Sequence, residues 1–392
     1  MSLMTKMKYI DGKEQLGIDY DWKLIIKEFE KLKIPKNVYS PVPALKNNCK
    51  YYVSVSERST GKTTNWILLG LVMNKLYGTQ IQYVRQSEAM ILPKNIGQMM
   101  SVINSFGYVE KLTDGKYNML RYKNRHWRYA RTGEDGEVLE ESDSVMFCMD
   151  LDHNETLKSS YNSPRGDLII FDEFIAQRYR LNEFVTFCDL VKTIIRDRLS
   201  PIIVMLANTT DRYNTYFQEL DIQQEILGCK IGESFRKNIG GSTPLYCELV
   251  GNKNEARAHL NSLFFKFKNP RLASITGGDW AIDSYPHIQK EDCIVLLKNR
   301  VISYNNALVG LEVCHNDRLG NFVKAHRINK LHDESIVYQL DEITHWKQRR
   351  RFGHTKLDGY VWTLYQRGKW YYSTNEVGNI VDSFIRQARQ NA

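Results

Sequence analysis

Ser56-Glu57-Arg58-Ser59-Thr60-Gly61-Lys62-Thr63 follows directly on an apolar-leaning run, Tyr51-Tyr52-Val53-Ser54-Val55, and leads into another, Asn65-Trp66-Ile67-Leu68-Leu69-Gly70-Leu71-Val72-Met73. Strand, tight loop and helix form the setting in which Gly-Lys-Thr wraps a phosphate. Backbone N–H groups curl around the oxygens, a lysine reaches the terminal phosphates, and a hydroxyl meets Mg²⁺. Gly61 lets the backbone approach closely, Lys62 supplies charge, and Thr63 supplies the hydroxyl with Thr64 behind it. Arg58, Ser59 and Thr60 make up the rest of the cradle. The helix N-terminus adds a dipole that favours an anion. Ser56 stands where the pattern usually begins with glycine, and serine is tolerated there if its φ is negative. Taken alone, the segment also reads as a helix capped by Ser59 or Thr60 with a chance Gly-Lys-Thr behind it.

A second signal is Leu168-Ile169-Ile170-Phe171-Asp172-Glu173. An apolar run of this kind is a buried parallel strand, which places its two terminal acids at the carboxyl edge where open α/β sheets bind ligands. Asp172 is positioned to hold Mg²⁺ and Glu173 to polarise an attacking water, the one reactant that phosphoryl transfer to water has to orient. An acidic strand end is common by itself, but behind a phosphate loop the pair implies binding and hydrolysis of a nucleoside triphosphate, with ATP and Mg²⁺ as cofactors.

A third strand, Pro201-Ile202-Ile203-Val204-Met205-Leu206-Ala207, ends at Asn208. A polar residue on a strand beside the Asp-Glu strand can sense a γ-phosphate, while Asn208-Thr209-Thr210-Asp211 also suits a plain turn. Before it, Leu190 to Arg198 has helical spacing and exposes Arg196 and Arg198 in its last turn. Such arginines either complement the helix dipole or reach a neighbouring subunit's γ-phosphate.

With 392 residues the chain is long enough for two domains, and its apolar and charged fractions are globular averages. No stretch approaches the ~18 apolar residues of a membrane span, and Met1 to Lys8 has no signal-peptide core. Seven scattered cysteines without a Cys-x-x-Cys pair point to free thiols in a reducing cytoplasm. The net charge of +9 is compatible with a polyanionic partner.

Along the chain, 1–45 reads as an N-terminal extension with helical periodicity over Asp21 to Lys33, and 46–235 as alternating strands and helices. Gln80 to Arg85 reads as one further strand, and 116–150 as polar hairpin material looping at Thr132-Gly133-Glu134-Asp135-Gly136. The stretch 236–289, with Asn238-Ile239-Gly240-Gly241-Ser242 and a basic segment from Glu255 to Lys268, reads as a linker or lid. From 290 to 392 the pattern turns β-rich, with strands expected at Cys293–Leu297, Ala307–Val313, Gly359–Tyr365 and Trp370–Tyr372 and a last helix near 376–390. Between them lie Arg349, Arg350, Arg351 and Lys356 beside aromatic residues, a composition suited to nucleic-acid phosphates or to a solvated loop.

Taken together and in this order, the Arg-containing phosphate loop, Tyr83-Val84-Arg85, Phe171-Asp172-Glu173-Phe174-Ile175, Arg196-Asp197-Arg198 and Leu206-Ala207-Asn208 resemble the phi-29-like bacteriophage DNA-packaging ATPases, small relatives of the large terminases. The resemblance covers roughly 50–220 well and the remainder more weakly. It implies an α/β fold: a P-loop additional-strand ATPase domain, a small lid, and an α+β RNase H-like domain. It also implies a homo-oligomeric ring, a pentamer, at the portal of a procapsid in the infected host's cytoplasm. Such a ring pumps double-stranded DNA, in some cases with a packaging RNA. Arg196 best matches the family's trans-acting arginine, with Arg198 the near alternative.

A nuclease of the large-terminase kind needs a carboxylate cluster around two metals, with an acid in the middle of its first strand. Ile294-Val295-Leu296-Leu297 carries none, and Asp292, Glu312, Asp317 and Asp382 are loosely spread. The resemblance therefore implies a vestigial nuclease that binds DNA or RNA. Other readings are a terminase with a live nuclease, a different DNA-dependent ATPase or helicase, and a binding module with a decayed loop. No second motor domain or helicase motif is visible.

Overall fold

The computed structural model describes residues 6–390 except 11–12, 18, 58–59, 154–164, 176–182, 197, 199–200, 209–211, 213, 252–284, 289–292, 305–306, 341–348 and 351–354. The chain divides into two compact units, Met1–Ala176 with Asn182–Ala281 and Gln177–Leu181 with Ile282–Ala392.

The first unit is a large α/β sheet. Its strands are β3 (Tyr51–Ser56), β4 (Ile81–Arg85), β5 (Met119–Lys123), β6 (His126–Thr132), β7 (Val138–Asp150), β8 (Leu168–Asp172), β9 (Ile202–Asn208), β10 (Ser234–Ile239) and β11 (Thr243–Val250). They lie side by side in the order β10-β11-β3-β9-β8-β4-β7-β6-β5. From β11 to β7 neighbours run parallel, and antiparallel pairs close both edges. Strand β9 is inserted between the phosphate-loop strand β3 and the Asp-Glu strand β8, pairing Ser56 with Asn208 and Asp172 with Leu206. A separate hairpin pairs β1 (Lys6–Ile10) with β2 (Lys13–Gly17).

Helices cover both faces, which is why the central strands read as unbroken apolar runs. On one face the helix Lys62–Tyr77 is buried from Asn65 to Met73 without a polar stripe. Packed in the same core are Ile25 and Phe29 from the helix Trp22–Glu30, together with Tyr39, Ala44 and Leu45. The N-terminal stretch is thus built into the first unit, and Asp21 starts its helix by accepting from the N–H groups of Lys23 and Leu24. On the other face the helix Glu183–Ile195 buries Phe187, Leu190, Val191 and Ile194 beside Phe171 and Phe217.

Two stretches differ from their sequence reading. The expected linker over 236–289 begins with strand: β10 and β11 form a hairpin, and β11 joins β3 in parallel. Its basic segment, Glu255 to Lys268, lies outside the described residues. The expected hairpin region contains β7, whose second half, Met146 to Asp150, pairs in parallel with β4 on one side while Met146 and Phe147 still pair with β6 on the other. The six buried residues Val145 to Asp150 at its end carry that signal.

The second unit holds β12 (Ile294–Tyr304), β13 (Ala307–Asn316), β14 (Gly320–Arg327), β15 (Ile336–Tyr338), β16 (Arg349–Arg350) and β17 (Trp370–Tyr372) in the order β16-β15-β12-β13-β14-β17. The run β12-β13-β14 is antiparallel, while β15 joins β12, β16 joins β15, and β17 joins β14 in parallel. The helix Asn375–Gln390 buries Val377, Val381, Phe384 and Ile385 in its core. The strand expected at Gly359–Tyr365 is instead part of a helix, Lys356–Gln366. Its aromatic and β-branched residues favour strand locally, but Thr355 and Asp358 form a reciprocal capping box, and Asp358, Val361 and Leu364 recur at helical spacing on the buried face.

Candidate active site

The carboxyl edge of β3, β9, β8 and β4 gathers the chemistry. Gly61 ends the phosphate loop at φ +87°, in the left-handed region where a side chain is strained. A Cβ there would also lie 3.4 Å from Val38 Cβ. Immediately after it the helix Lys62–Tyr77 begins.

Lys62 is 7% exposed. Its Nζ donates to Ser56 Oγ, which also bonds Thr60 Oγ1 at 2.8 Å. The serine in the usual glycine position therefore has a role as the lysine's acceptor, and its φ is not positive. Burial pulls the Lys62 ammonium down from 10.5 to about 8, against the opposing charges of Asp172, Glu248 and Glu173.

Thr63 Oγ1 donates to Asp172 Oδ1 at 3.0 Å. A hydroxyl and a carboxylate oxygen in contact at the loop are the hard donors that Mg²⁺ takes when phosphates and waters complete its shell. Asp172 also accepts from Tyr83 OH at 2.7 Å and from Arg85 Nη1 at 2.9 Å. Glu173 follows at φ +55°, a left-handed turn that takes the chain off the strand end. Its Oε2 lies 2.6 Å from Arg85 Nη2, with the carboxylate half exposed. Arg85 thus grips both acids from the neighbouring strand, as a guanidinium fork is shaped to do.

The structure brings Thr60, Gly61, Lys62, Thr63, Thr64, Asp172, Glu173 and Asn208 to this edge, Asn208 pairing with Ser56 across the β3–β9 ladder. Arg58 and Ser59 lie outside the described residues. Arg196 is elsewhere. It is exposed and follows the helix Glu183–Ile195, which returns the chain to the amino end of the strands. Arg198 is tied at that amino end, donating to Gly166 O at 3.1 Å and pairing with Asp167 at 3.2 Å just before β8. Neither arginine serves the phosphate loop of its own chain.

Tyr83 and Arg85 are part of the sequence pattern, but their hold on the acids is visible only in three dimensions. The one sequence signal for it is an arginine ending an otherwise buried strand.

No family model and no curated protein sequence matches the chain. Solved structures do. The phi-28 gp11 DNA packaging motor superimposes with a TM-score of 0.57 at 17% identity, covering 90% of this chain and 98% of that one. The bacteriophage phi-29 viral genome packaging motor assembly gives 0.57 at 16% identity, covering 90% of this chain and 100% of that one. The fold is that of these phage packaging motors. Within this packaging-motor fold the second set of candidates belongs to the second unit. Arg349 and Arg350 form β16 at the edge of the second unit's sheet, and Lys356 is exposed at the start of the helix Lys356–Gln366. Arg351 lies outside the described residues.

Proposed function

We propose that this chain is an ATPase that drives double-stranded DNA into a procapsid during phage assembly, acting as a ring of identical subunits. The observation that carries this reading is the contact of Thr63 with Asp172, with Glu173 beside them, on a sheet in which β9 separates the loop strand from the acidic strand. The likeness to two packaging motors supports the choice of DNA translocation over other ATP-driven work.

Lys62 and the helix N-terminus meet the phosphates. Thr63 and Asp172 hold Mg²⁺, which when bound neutralises charge on the phosphates. Glu173 orients a water in line with the γ-phosphate, and Asn208, on the strand between, senses whether that phosphate is present. Arg196, exposed and remote from its own loop, supplies positive charge to the neighbouring subunit's site. Hydrolysis then alters the fit between subunits, and the ring, five-membered by resemblance, moves the duplex. Arg349, Arg350, Arg351 and Lys356 grip phosphates without reading bases, as a motor indifferent to sequence requires. The work takes place in the cytoplasm of an infected bacterium, transiently at the portal vertex, where a packaging RNA is a further partner.

For the second unit we propose an RNase H-like fold that has lost nuclease chemistry. Three antiparallel strands with two more running parallel on the far side of the first are compatible with that fold. Among the described residues no three His, Cys, Asp or Glu side chains gather to hold a metal. On β12 the buried charged residue is Arg300, which donates to Tyr338 OH at 2.8 Å. Glu312 pairs with Lys324, and Asp382 accepts from Tyr365.

The test is DNase protection of duplex DNA by procapsids given ATP and the protein. Wild type should protect DNA and Lys62→Ala should not. Equal protection with Lys62→Ala, or none with wild type, would refute the reading.

A further inference from the structure

A partly buried acid that the hydrolytic mechanism leaves unused lies close to the phosphate loop. Glu248 is on β11, opposite Ser54 of β3. Its Oε1 accepts from Tyr39 OH at 2.6 Å and from Ser54 Oγ at 2.7 Å. Tyr39 OH in turn accepts from Trp66 Nε1 at 3.1 Å. Tyr39, Ser54 and Trp66 are all buried. Tyr246 OH lies 3.5 Å from the other carboxylate oxygen.

The backbone of Tyr39 is tied to the loop on both sides of its critical turn. Its N–H donates to Thr60 O at 2.8 Å, and its carbonyl accepts from Asn65 Nδ2. Between those anchors lie Gly61, Lys62 and Thr63, with Val38 packed against Gly61. A chain of contacts therefore runs from the Glu248 carboxylate through the Tyr39 ring and backbone to the residues that flank the phosphate-binding turn. Withdrawing a carboxylate even partly from water is costly, and an apolar residue would cover the same strand at lower cost. Burial pushes the Glu248 carboxyl up, hydrogen bonds from Ser54 and Tyr39 draw it back, and the nearby Lys62 charge adds to that pull.

We propose that Glu248, acting through Tyr39, is a positioning residue that holds the phosphate loop in its ATP-binding shape. The role differs from that of Asp172 and Glu173. Glu248 touches neither metal nor reacting water, so it sets affinity for the nucleotide and leaves the chemical step alone. The proposal rests on the ATPase reading above and adds to it a residue from β11, the strand that pairs with the loop strand β3 on the side away from β9.

The test combines Mg·ATP binding by titration calorimetry with steady-state turnover for wild type, Tyr39→Phe, Glu248→Gln and the double variant. Tyr39→Phe keeps the ring and its packing and removes only the hydroxyl, so it remains informative if Glu248→Gln folds poorly. Thermal unfolding is measured alongside. The expected result is about tenfold weaker ATP binding and a matching rise in KM for each single variant, as for loss of a hydrogen bond to a charged group, with kcat within about twofold. The double variant should be no worse than the weaker single, since both break one relay. Unchanged KM in both single variants, or a lowered unfolding temperature with unchanged KM, would overturn the proposal and leave the ATPase reading intact. Wild type that binds no Mg·ATP would overturn both.

Discussion

Arg85 Nη2 lies 2.6 Å from Glu173 Oε2, so the acid assigned to the attacking water is oriented by an arginine from a different strand. The same guanidinium reaches Asp172 at 2.9 Å, and Asp172 is nearly buried. Arg85→Ala should cost about 3 kcal/mol of stability, because it strands a buried carboxylate. It should also lower kcat at least about tenfold by releasing Glu173. Arg85→Lys should recover part of the stability but little of the turnover, since an ammonium cannot hold both acids in a fork. Urea unfolding and steady-state assays check this; full turnover in Arg85→Ala would detach the arginine from the role of Glu173.

Lys62 gives the site a defined pH dependence. Its value of about 8 lies below the ordinary 10.5 because burial disfavours the charge. Below about pH 8 the ammonium is present to meet the phosphates, and above it the amine is neutral until ATP draws a proton back. ATP affinity should therefore fall as pH rises past about 8, by up to about tenfold per unit, with proton uptake on binding. Calorimetry in buffers of different ionisation heat measures that proton. Lys62→Arg stays charged and should show no such uptake.

The two arginines after the helix Glu183–Ile195 should separate cleanly. Arg198 is tied to Gly166 and Asp167 within its own chain, so Arg198→Ala should lower the unfolding temperature. Arg196 is exposed, and Arg196→Ala should lower the unfolding temperature less than Arg198→Ala while removing turnover in the assembled protein. Mixing Arg196→Ala with Glu173→Gln should restore part of the activity, because each lends the other an intact half-site. Normal hydrolysis by Arg196→Ala would reject a site shared between subunits.

Gly61→Ala tests the loop's shape directly. The φ of +87° should make alanine cost about 1 kcal/mol. ATP binding should weaken with it, and a variant that binds as wild type would show that this turn does not shape the site.

The first unit was legible because its central strands are buried on both faces and therefore read as apolar runs, and because Gly61-Lys62-Thr63 and Asp172-Glu173 terminate such runs at the same edge. Its outer parts were harder. β10 reads as polar and glycine-flanked because it is an edge strand with alternating exposure, and that pattern looks like a linker. In the second unit, Tyr360 to Tyr365 has strand-forming side chains, and only the Thr355–Asp358 cap and the spacing of Val361 and Leu364 reveal a helix. The Glu248–Tyr39 relay was not legible at all, since it joins residues 209 positions apart.

The most direct test is ATP turnover by wild type and Glu173→Gln, each with and without double-stranded DNA. Wild type should hydrolyse ATP faster with DNA, and Glu173→Gln should bind ATP but turn over about a hundredfold or more slowly in both conditions. Equal turnover by the two proteins, or wild-type hydrolysis indifferent to DNA, would contradict a DNA-translocating ATPase built on this site.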